Sequence, residues 1–385
     1  MKVRTITTFS NLSYPAKPEE LENVASFNKR AKQLLEDRGF EVQETRIATN
    51  FFEGARLNLS YEDVLPWVIN IQSICDSCGI DFISLGAIKP GVRASVYELI
   101  PEIISETETV SLCVSLTLPG RGPVAHAVKE AASAIKRISE RTERGAGNFR
   151  FGAVANCLPS VPFFPSGYHD GGHPHFSVGF ESGGSVYAVA HEAPNAEAAA
   201  ALLLGEMEFE LEKVEAACGE LSRSERIDFT GADISLNPGI LETESVCLAV
   251  EKLAGGRLGC SGTLRVVAML VDALGKAEIS RCGYSGIFLP VLEDYGLAER
   301  ANEGKMSLAL LLAISAVCGA GLDAIPLPGD ISVKKLEAIL FDVAALSSRA
   351  GKPLSARLLP APGKEAGEKT EFGIPFLIDC ATIAP

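Results

Sequence analysis

Strand-like and helix-like patterns alternate without a break over the first 157 residues, and this alternation limits the chain to α/β architectures with a largely parallel sheet. Val3 to Phe9 is apolar and β-branched, and Leu21, Val24, Phe27, Ala31 and Leu34 then recur at helical spacing. The same pair of patterns returns in Val42 to Thr49 with a helix around Val64 to Ile74, and in Asp81 to Ile88 with a helix around Ala94 to Ile104. Thr109 to Leu118 precedes a helix from Pro123 to Ile138, and Arg150 to Cys157 supplies a fifth strand.

The second half is less regular. His175 to Phe180 and Ser185 to Ala190 read as a hairpin across Gly183-Gly184, followed by a long helix from Ala196 to Ala217. Phe229 to Leu236 is a strand closed by Asn237-Pro238-Gly239, and a helix near Glu244 to Leu253 follows. The turn Gly259-Cys260-Ser261-Gly262-Thr263 opens a helix to Leu274, Gly286 to Leu292 is strand-like, and Met306 to Val317 is an apolar helix. Leu322 to Leu327 reads as a buried strand, Ser332 as the cap of a helix carrying Leu336, Ile339, Leu340, Val343 and Leu346, and Ala356 to Leu359 as a last strand. Two sets of about five βα units fit a closed barrel larger than eight strands, or an eight-stranded barrel with an inserted hairpin. No low-complexity linker divides the chain, so one domain is expected, its halves meeting near residue 157.

Composition removes several functional classes. A formal net charge of -14 without a clustered run of Lys and Arg argues against a nucleic-acid partner. There is no stretch of about 18 apolar residues that could span a membrane, and the N-terminus lacks the pattern of a secretory signal, so a cytoplasmic protein is expected. Ten cysteines in 385 residues are too dilute for a disulfide scaffold, and the lone C-x-x-C at Cys75 and Cys78 has no second pair to complete a zinc site.

Chemistry-bearing residues concentrate between Asn156 and His191. Four of the five histidines, His169, His173, His175 and His191, follow a loop punctuated by Pro159, Pro162 and Pro165. His173 and His175 are two apart, which on a strand projects both to one side, so that with His169 they form a candidate divalent-metal site. The acidic residues Asp233, Glu293, Asp294 and Asp323 lie in or just after predicted strands, where a barrel assembles carboxylates for proton transfer or for Mg²⁺. Capping of the next helix is the competing role for Asp294, and a solvated loop position for Glu293. Ser261, Gly262 and Thr263 lack the Lys of a P-loop, but their helix start offers backbone N-H groups to an anion. Cys157 and Cys318 are candidate nucleophiles, with core packing as the plainer role.

Taken in order, several of these segments resemble one family. Asn156 with Phe163, Gly167 and His169, the D-x-S-L-x-P of Asp233 to Pro238, Gly262-Thr263, the S-G-x-F-x-P-x-x-E-D of Ser285 to Asp294, and the G-L-D of Gly321 to Asp323 are similar to domain of unknown function 711. That resemblance covers nearly the whole chain and implies the ten-stranded βα barrel of pyruvate formate-lyase and the glycyl radical enzymes. In it two parallel five-stranded halves, here 1-157 and 158-385, run antiparallel to one another. It implies a cytoplasmic homodimer and brings no established reaction. The family keeps a histidine at the position of His169 but not at those of His173 and His175, so a three-histidine site would be peculiar to this branch. Cys282-Gly283-Tyr284 echoes a glycyl-radical signature, but Arg281 is too close to the glycine.

The functional expectation is an enzyme acting on a small anionic metabolite by acid/base chemistry without a radical. His169 is the expected proton carrier, Asp233, Asp323 and Glu293 the supporting or metal-holding carboxylates, and the 259-263 turn the anion seat. Asn156, Ser235, Ser285 and Gly286, small polar residues of the matched segments, are the expected binding contacts. The rival is a non-catalytic metabolite-binding or regulatory homodimer.

Overall fold

A computed structural model describes residues 1-50 and 61-385. In chain order the first half runs β1 (Lys2–Ser10), α1 (Pro18–Asp37), β2 (Val42–Thr49), α2 (Tyr61–Cys78), β3 (Phe82–Ile88), α3 (Ala94–Glu106) and β4 (Val110–Ser115). A short hairpin of β5 (Thr117–Leu118) and β6 (Gly122–Pro123) precedes α4 (Ala125–Arg141) and β7 (Phe151–Ala155). The second half runs β8 (His175–Glu181), α5 (Gly183–Glu192), α6 (Ala196–Glu225), β9 (Asp228–Asp233), α7 (Val246–Ala254) and α8 (Thr263–Leu274). It continues through α9 (Tyr295–Asn302), α10 (Leu308–Cys318), β10 (Gly321–Pro328), α11 (Val333–Ala350) and β11 (Leu354–Ala361).

Nine of these strands form one sheet in the order β10-β11-β7-β4-β3-β2-β1-β8-β9. The strands β1, β2, β3, β4 and β7 are parallel neighbours in chain order, as the alternation predicts. The pairs β8-β9 and β10-β11 are also parallel, and each joins the first five antiparallel, through β1-β8 and β11-β7. Extended chain between Arg281 and Pro290 makes isolated parallel bridges to both sheet edges, Ala232 to Arg281 and Leu236 to Ile287 on one side and Pro290 to Asp323 on the other.

Helices bury their apolar stripes against the sheet. In α1 the buried set is Leu21, Val24, Phe27, Ala31 and Leu35, so Leu35 takes the place expected for Leu34. Side chains of Asn195, Ser245, Asp294, Ser307 and Ser332 accept from the first turns of α6, α7, α9, α10 and α11. The Ser332 cap and its stripe are as read from the sequence. The expected hairpin is not formed: Ser185 to Ala190 lies inside α5. Val186, Val189 and Ala190 fall at i, i+3 and i+4 on one helical face, and Gly183 lets the helix start against the Glu244 carbonyl, where a Cβ would sit 2.1 Å away. Among the described residues no helix is long and apolar enough to cross a membrane.

Two register irregularities lie in strands that supply the candidate site. Between β1 and β8 the pairing shifts across Arg4, and between β10 and β11 it shifts across Asp323 and Ala324, where Ala324 takes a φ of 45°. An extra residue of this kind re-aims a side chain that strict alternation would send to the other face.

Candidate functional site

The proline-punctuated segment after β7 passes over the sheet face opposite the helices. Thr8 of β1 gives its hydroxyl to Asn28 of α1, whereas Thr5 and Thr7 face the other way. That second face is lined by small and hydroxyl-bearing residues, and they receive the segment. Thr7 donates to the Pro162 carbonyl at 2.8 Å, Ser84 to the Gly167 carbonyl at 2.7 Å and Ser177 to the Ser160 carbonyl at 3.1 Å. Three prolines reduce the number of N-H groups the buried segment must satisfy, and the strand hydroxyls satisfy carbonyls that remain. Gly152 and Gly179 make room: a Cβ at Gly152 would lie 2.7 Å from Pro165, and one at Gly179 2.7 Å from the Phe163 ring.

The tip of this segment, Phe163 to Ser166, forms one wall of a cavity. Phe82, Phe149, Phe288 and Phe376 add aromatic surface. The polar wall is a chain of ion pairs. Arg4 donates to Glu181 at 2.7 Å and lies 3.7 Å from Glu293, which accepts from Arg357 at 2.5 Å. Arg357 also donates through Nε to Asp323 at 2.7 Å. On β2, Glu44 Oε2 accepts both Nε and Nη2 of Arg46, at 3.0 and 2.5 Å. Arg46 stands over the rings of Phe164 and Phe82, at 5.1 and 5.7 Å, and Arg357 over Phe149 at 4.8 Å.

Burial works against the charges of Arg4, Arg357 and Glu44, and their partners outweigh it. Against that burial, Glu293 and Glu181 hold the Arg4 guanidinium above its ordinary range, and Asp323 and Glu293 do the same for Arg357. Burial likewise opposes the Glu44 charge, but Arg46 keeps that carboxyl below its usual range. Arg150 also lines the cavity, but its guanidinium is spent on the carbonyls of Ile104, Thr107 and Val110 around the C-terminal end of α3. Without a carboxylate partner, burial lowers it to about 10.

Of the candidate catalytic, binding and metal residues read from sequence, Glu293 and Asp323 line this cavity and the others do not. His169 is 0% exposed, with Nε2 on the His173 carbonyl at 3.2 Å and Nδ1 taking the Gly171 N-H at 3.1 Å beside Asn11 Oδ1. Both ring nitrogens are engaged within the loop, and His169 does not line this cavity. His175 is buried against the Phe9 ring, with Nδ1 on the same His173 carbonyl at 3.1 Å and Nε2 2.7 Å from the Ser160 hydroxyl. His173 itself is exposed. One nitrogen of the His169 ring and one of the His175 ring meet at the His173 carbonyl oxygen, and the exposed His173 ring does not join them. Among the described residues no group of three or more His, Cys, Asp or Glu side chains is arranged to hold a metal ion. His191 is exposed on α5 and stacks on Tyr187.

Asp233 is fully buried and organises a turn. Its carboxylate accepts from the Ser235 N-H and hydroxyl and from the N-H groups of Tyr284 and Ser285. Burial pushes its carboxyl up, against those four donors. Ser235 in turn accepts from the Gly286 N-H at 3.0 Å, and Ser285 donates its hydroxyl to the Cys282 carbonyl at 3.0 Å. Asn156, at a φ of 52°, ties β7 to Ser347 of α11 and to Thr117. Ser261 and Gly262 are exposed at the start of α8, with Thr263 accepting from the Gly259 N-H, and none of the three lines the cavity. Asp294 is the helix cap, bonded to Leu297, Ser245 and Cys247, while its neighbour Glu293 is the ion-paired cavity residue. All ten cysteines are free thiols; burial raises Cys157 to about 12 and raises Cys318, which favours packing over nucleophilic roles.

Sequence reading missed Arg4, Glu44, Arg46 and Arg357. The available signal was a charge inside an otherwise apolar or β-branched strand, as in V-Q-E-T-R-I and L-S-A-R-L-L. In a sheet covered by helices such a charge has to face a polar interior.

Comparison with known proteins adds kinship without chemistry. The family described as "Uncharacterised ACR (DUF711)" matches residues 1–373. A UPF0210 protein of Methanopyrus kandleri is 35% identical, covering 81% of this chain and 72% of that protein. One from Methanosarcina mazei is 30% identical over 100% of this chain and 90% of its own length, and one from Ligilactobacillus salivarius is 27% identical over 90% and 80%.

Proposed function

Because the chain belongs to the uncharacterised DUF711 family, we propose a function from the cavity itself: an enzyme that binds a small anionic metabolite there and moves a proton on it by acid/base chemistry. The observation that carries this reading is the convergence of Arg4, Arg46 and Arg357 on one aromatic-walled cavity. Each of these guanidinium groups keeps N-H capacity beyond its carboxylate partners: Nε of Arg4, Nη1 of Arg46 and Nη1 of Arg357 have no partner among the described residues. Guanidinium edges suit a carboxylate or phosphate, and the phenylalanines suit an apolar body.

Asp323 is the proton acceptor in this reading, since its Oδ1 is bonded to Arg357 and its Oδ2 has no partner among the described residues. Glu293, shared between Arg357 and Arg4, orients both guanidinium groups. The chemistry needs no radical. A divalent metal is not required by these residues, and we assign none.

We further read the fold as the ten-stranded barrel of two antiparallel halves. The bridges from the Arg281–Pro290 chain to both sheet edges support it, as the tenth strand that closes the ring. A cytoplasmic homodimer is the assembly the family resemblance implies, and sedimentation velocity tests it.

Incubation of the protein with a panel of small carboxylates and phosphates in D₂O, followed by proton NMR, tests the catalytic reading. Solvent deuterium entering one carbon position, abolished in D323N, is the expected result. Saturable binding with no exchange and no turnover across the panel would assign the cavity to a metabolite-binding protein instead.

A further inference from the structure

The polar wall of the cavity is not simply basic. Arg4, Arg46, Arg150 and Arg357 line it together with Glu44, Glu293 and Asp323, so a ligand carrying only negative charge would sit among three carboxylates. On β2 the two signs stand two residues apart on one face of the strand, with Glu44 in register with Thr5 and Arg46 with Thr7. Glu44 uses Oε2 alone to hold Arg46, which leaves Oε1 without a partner among the described residues, and Arg46 keeps Nη1 in the same condition. One unpartnered carboxylate oxygen and one unpartnered guanidinium N-H on a single, mutually fixed pair match a headgroup whose ammonium and carboxylate share one carbon.

The surroundings of this pair favour an apolar extension of that headgroup. Phe82 and Phe164 lie against the Arg46 guanidinium, and both line the cavity. Arg46 is therefore held flat by its rings and by Glu44, and its remaining edge is set in direction before any ligand arrives. Each oxygen or N-H left unpaired in a site largely removed from water costs free energy that a ligand of both charges relieves at once, and a ligand of one charge relieves only in part.

We infer that the metabolite is a zwitterion, an α-amino acid with an apolar or aromatic side chain, its ammonium on Glu44 Oε1, its carboxylate on Arg46 Nη1 and its side chain among the phenylalanines. This assignment rests on the reading of the cavity as an anion site and adds the positive charge to it. It leaves Asp323 free for the proton step.

Isothermal titration calorimetry of the full chain with L-phenylalanine, L-leucine, 3-phenylpropionate and 2-phenylethylamine tests it. At least one amino acid should bind ten-fold or more tightly than both single-charge analogues. The substitution E44Q, which preserves an oxygen for Arg46, should erase that advantage, so that in the variant the amino acid and 3-phenylpropionate bind within about two-fold of one another. Equal affinity for 3-phenylpropionate and L-phenylalanine would overturn the zwitterion assignment and leave the anion reading standing. Absence of binding by all four, at concentrations up to the millimolar range, would overturn both. Circular dichroism establishes that E44Q is folded; if it is not, the wild-type comparison alone decides.

Discussion

Arg357 Nε donates to Asp323 Oδ1 at 2.7 Å across two adjacent parallel strands, and both side chains are buried. Asp323 reaches Arg357 from the irregular step of β10, beside Ala324 at its positive φ. Stored order of this kind makes the cavity wall rigid before a ligand enters it.

Removing the cation should therefore expose how much the wall depends on it. In R357M two carboxylates, Asp323 and Glu293, lose their shared partner inside the cavity, and a cost of about 3 to 5 kcal/mol is expected from one-sided loss of a buried ion pair. Urea unfolding at pH 7 measures it. Protonation removes the uncompensated charge, so the deficit relative to wild type should shrink as pH falls toward the carboxylate range. A deficit under about 1 kcal/mol, the scale of an exposed pair, would mean that the network is solvated.

Gly179 should be sensitive to a single methyl group. Its Cβ would lie 2.7 Å from the Phe163 ring, so G179A is expected to cost about 1 to 3 kcal/mol through overpacking. The same substitution in an F163A background should cost clearly less, which a double-mutant cycle reads directly. An unchanged cost would place the Phe163 ring elsewhere.

His175 sets a pH dependence whose sign is fixed by its burial. Burial, outweighing the His173 carbonyl, lowers its pKa below the usual 6.5, so the neutral ring is favoured in the folded chain. The stability it contributes is present above the unfolded value of about 6.5 and is lost as pH falls through the lower folded value. The stability difference between wild type and H175F, from denaturation at pH 7.5 and pH 5.0, should accordingly narrow at the lower pH. A difference that widened at pH 5.0 would require the imidazolium to be the stabilised form.

The segment Cys282-Gly283-Tyr284 should not store a radical. A Cβ at Gly283 would lie 2.0 Å from Asp233 Oδ2, and Asp233 holds the N-H groups of Tyr284 and Ser285, so withdrawal of this loop breaks a buried network. Anaerobic treatment with a radical-activating system should give no doublet in electron paramagnetic resonance, and later oxygen exposure should leave the backbone intact at Gly283. In D233N the amide brings a donor toward N-H groups that need an acceptor. A loss of about 1 to 3 kcal/mol is expected, with faster hydrogen exchange at Tyr284.

Periodicity alone was sufficient for the first half of the chain, because a strand buried on both faces and an amphipathic helix leave different local patterns. It failed at Ser185 to Ala190, a short segment whose buried Val186, Val189 and Ala190 form a helical face packed near α7. The polar letters around Asp233 and Ser285 belong to a turn built on the Asp233 carboxylate. A carboxylate that ties a turn to a strand and one that faces a ligand have the same sequence signature, and they differ only in how many N-H groups surround them.

The sequence by itself determined the parallel βα order, the capped helices, the acidic surface balance and the family. Those properties are carried by neighbours in the chain, within a few residues of one another. Only the tertiary structure decided where the charges meet. Arg4, Arg46, Glu293, Asp323 and Arg357 are drawn from four strands and one loop, and the register shifts at Arg4 and Asp323 fall in the two strands that bring those side chains to the cavity. A β-bulge depends on how two strands distant in sequence pair, so no local pattern announces it. His169 and His175, close in sequence and suggestive there, are buried with one ring nitrogen each on the His173 carbonyl, a contact that depends on how the loop packs.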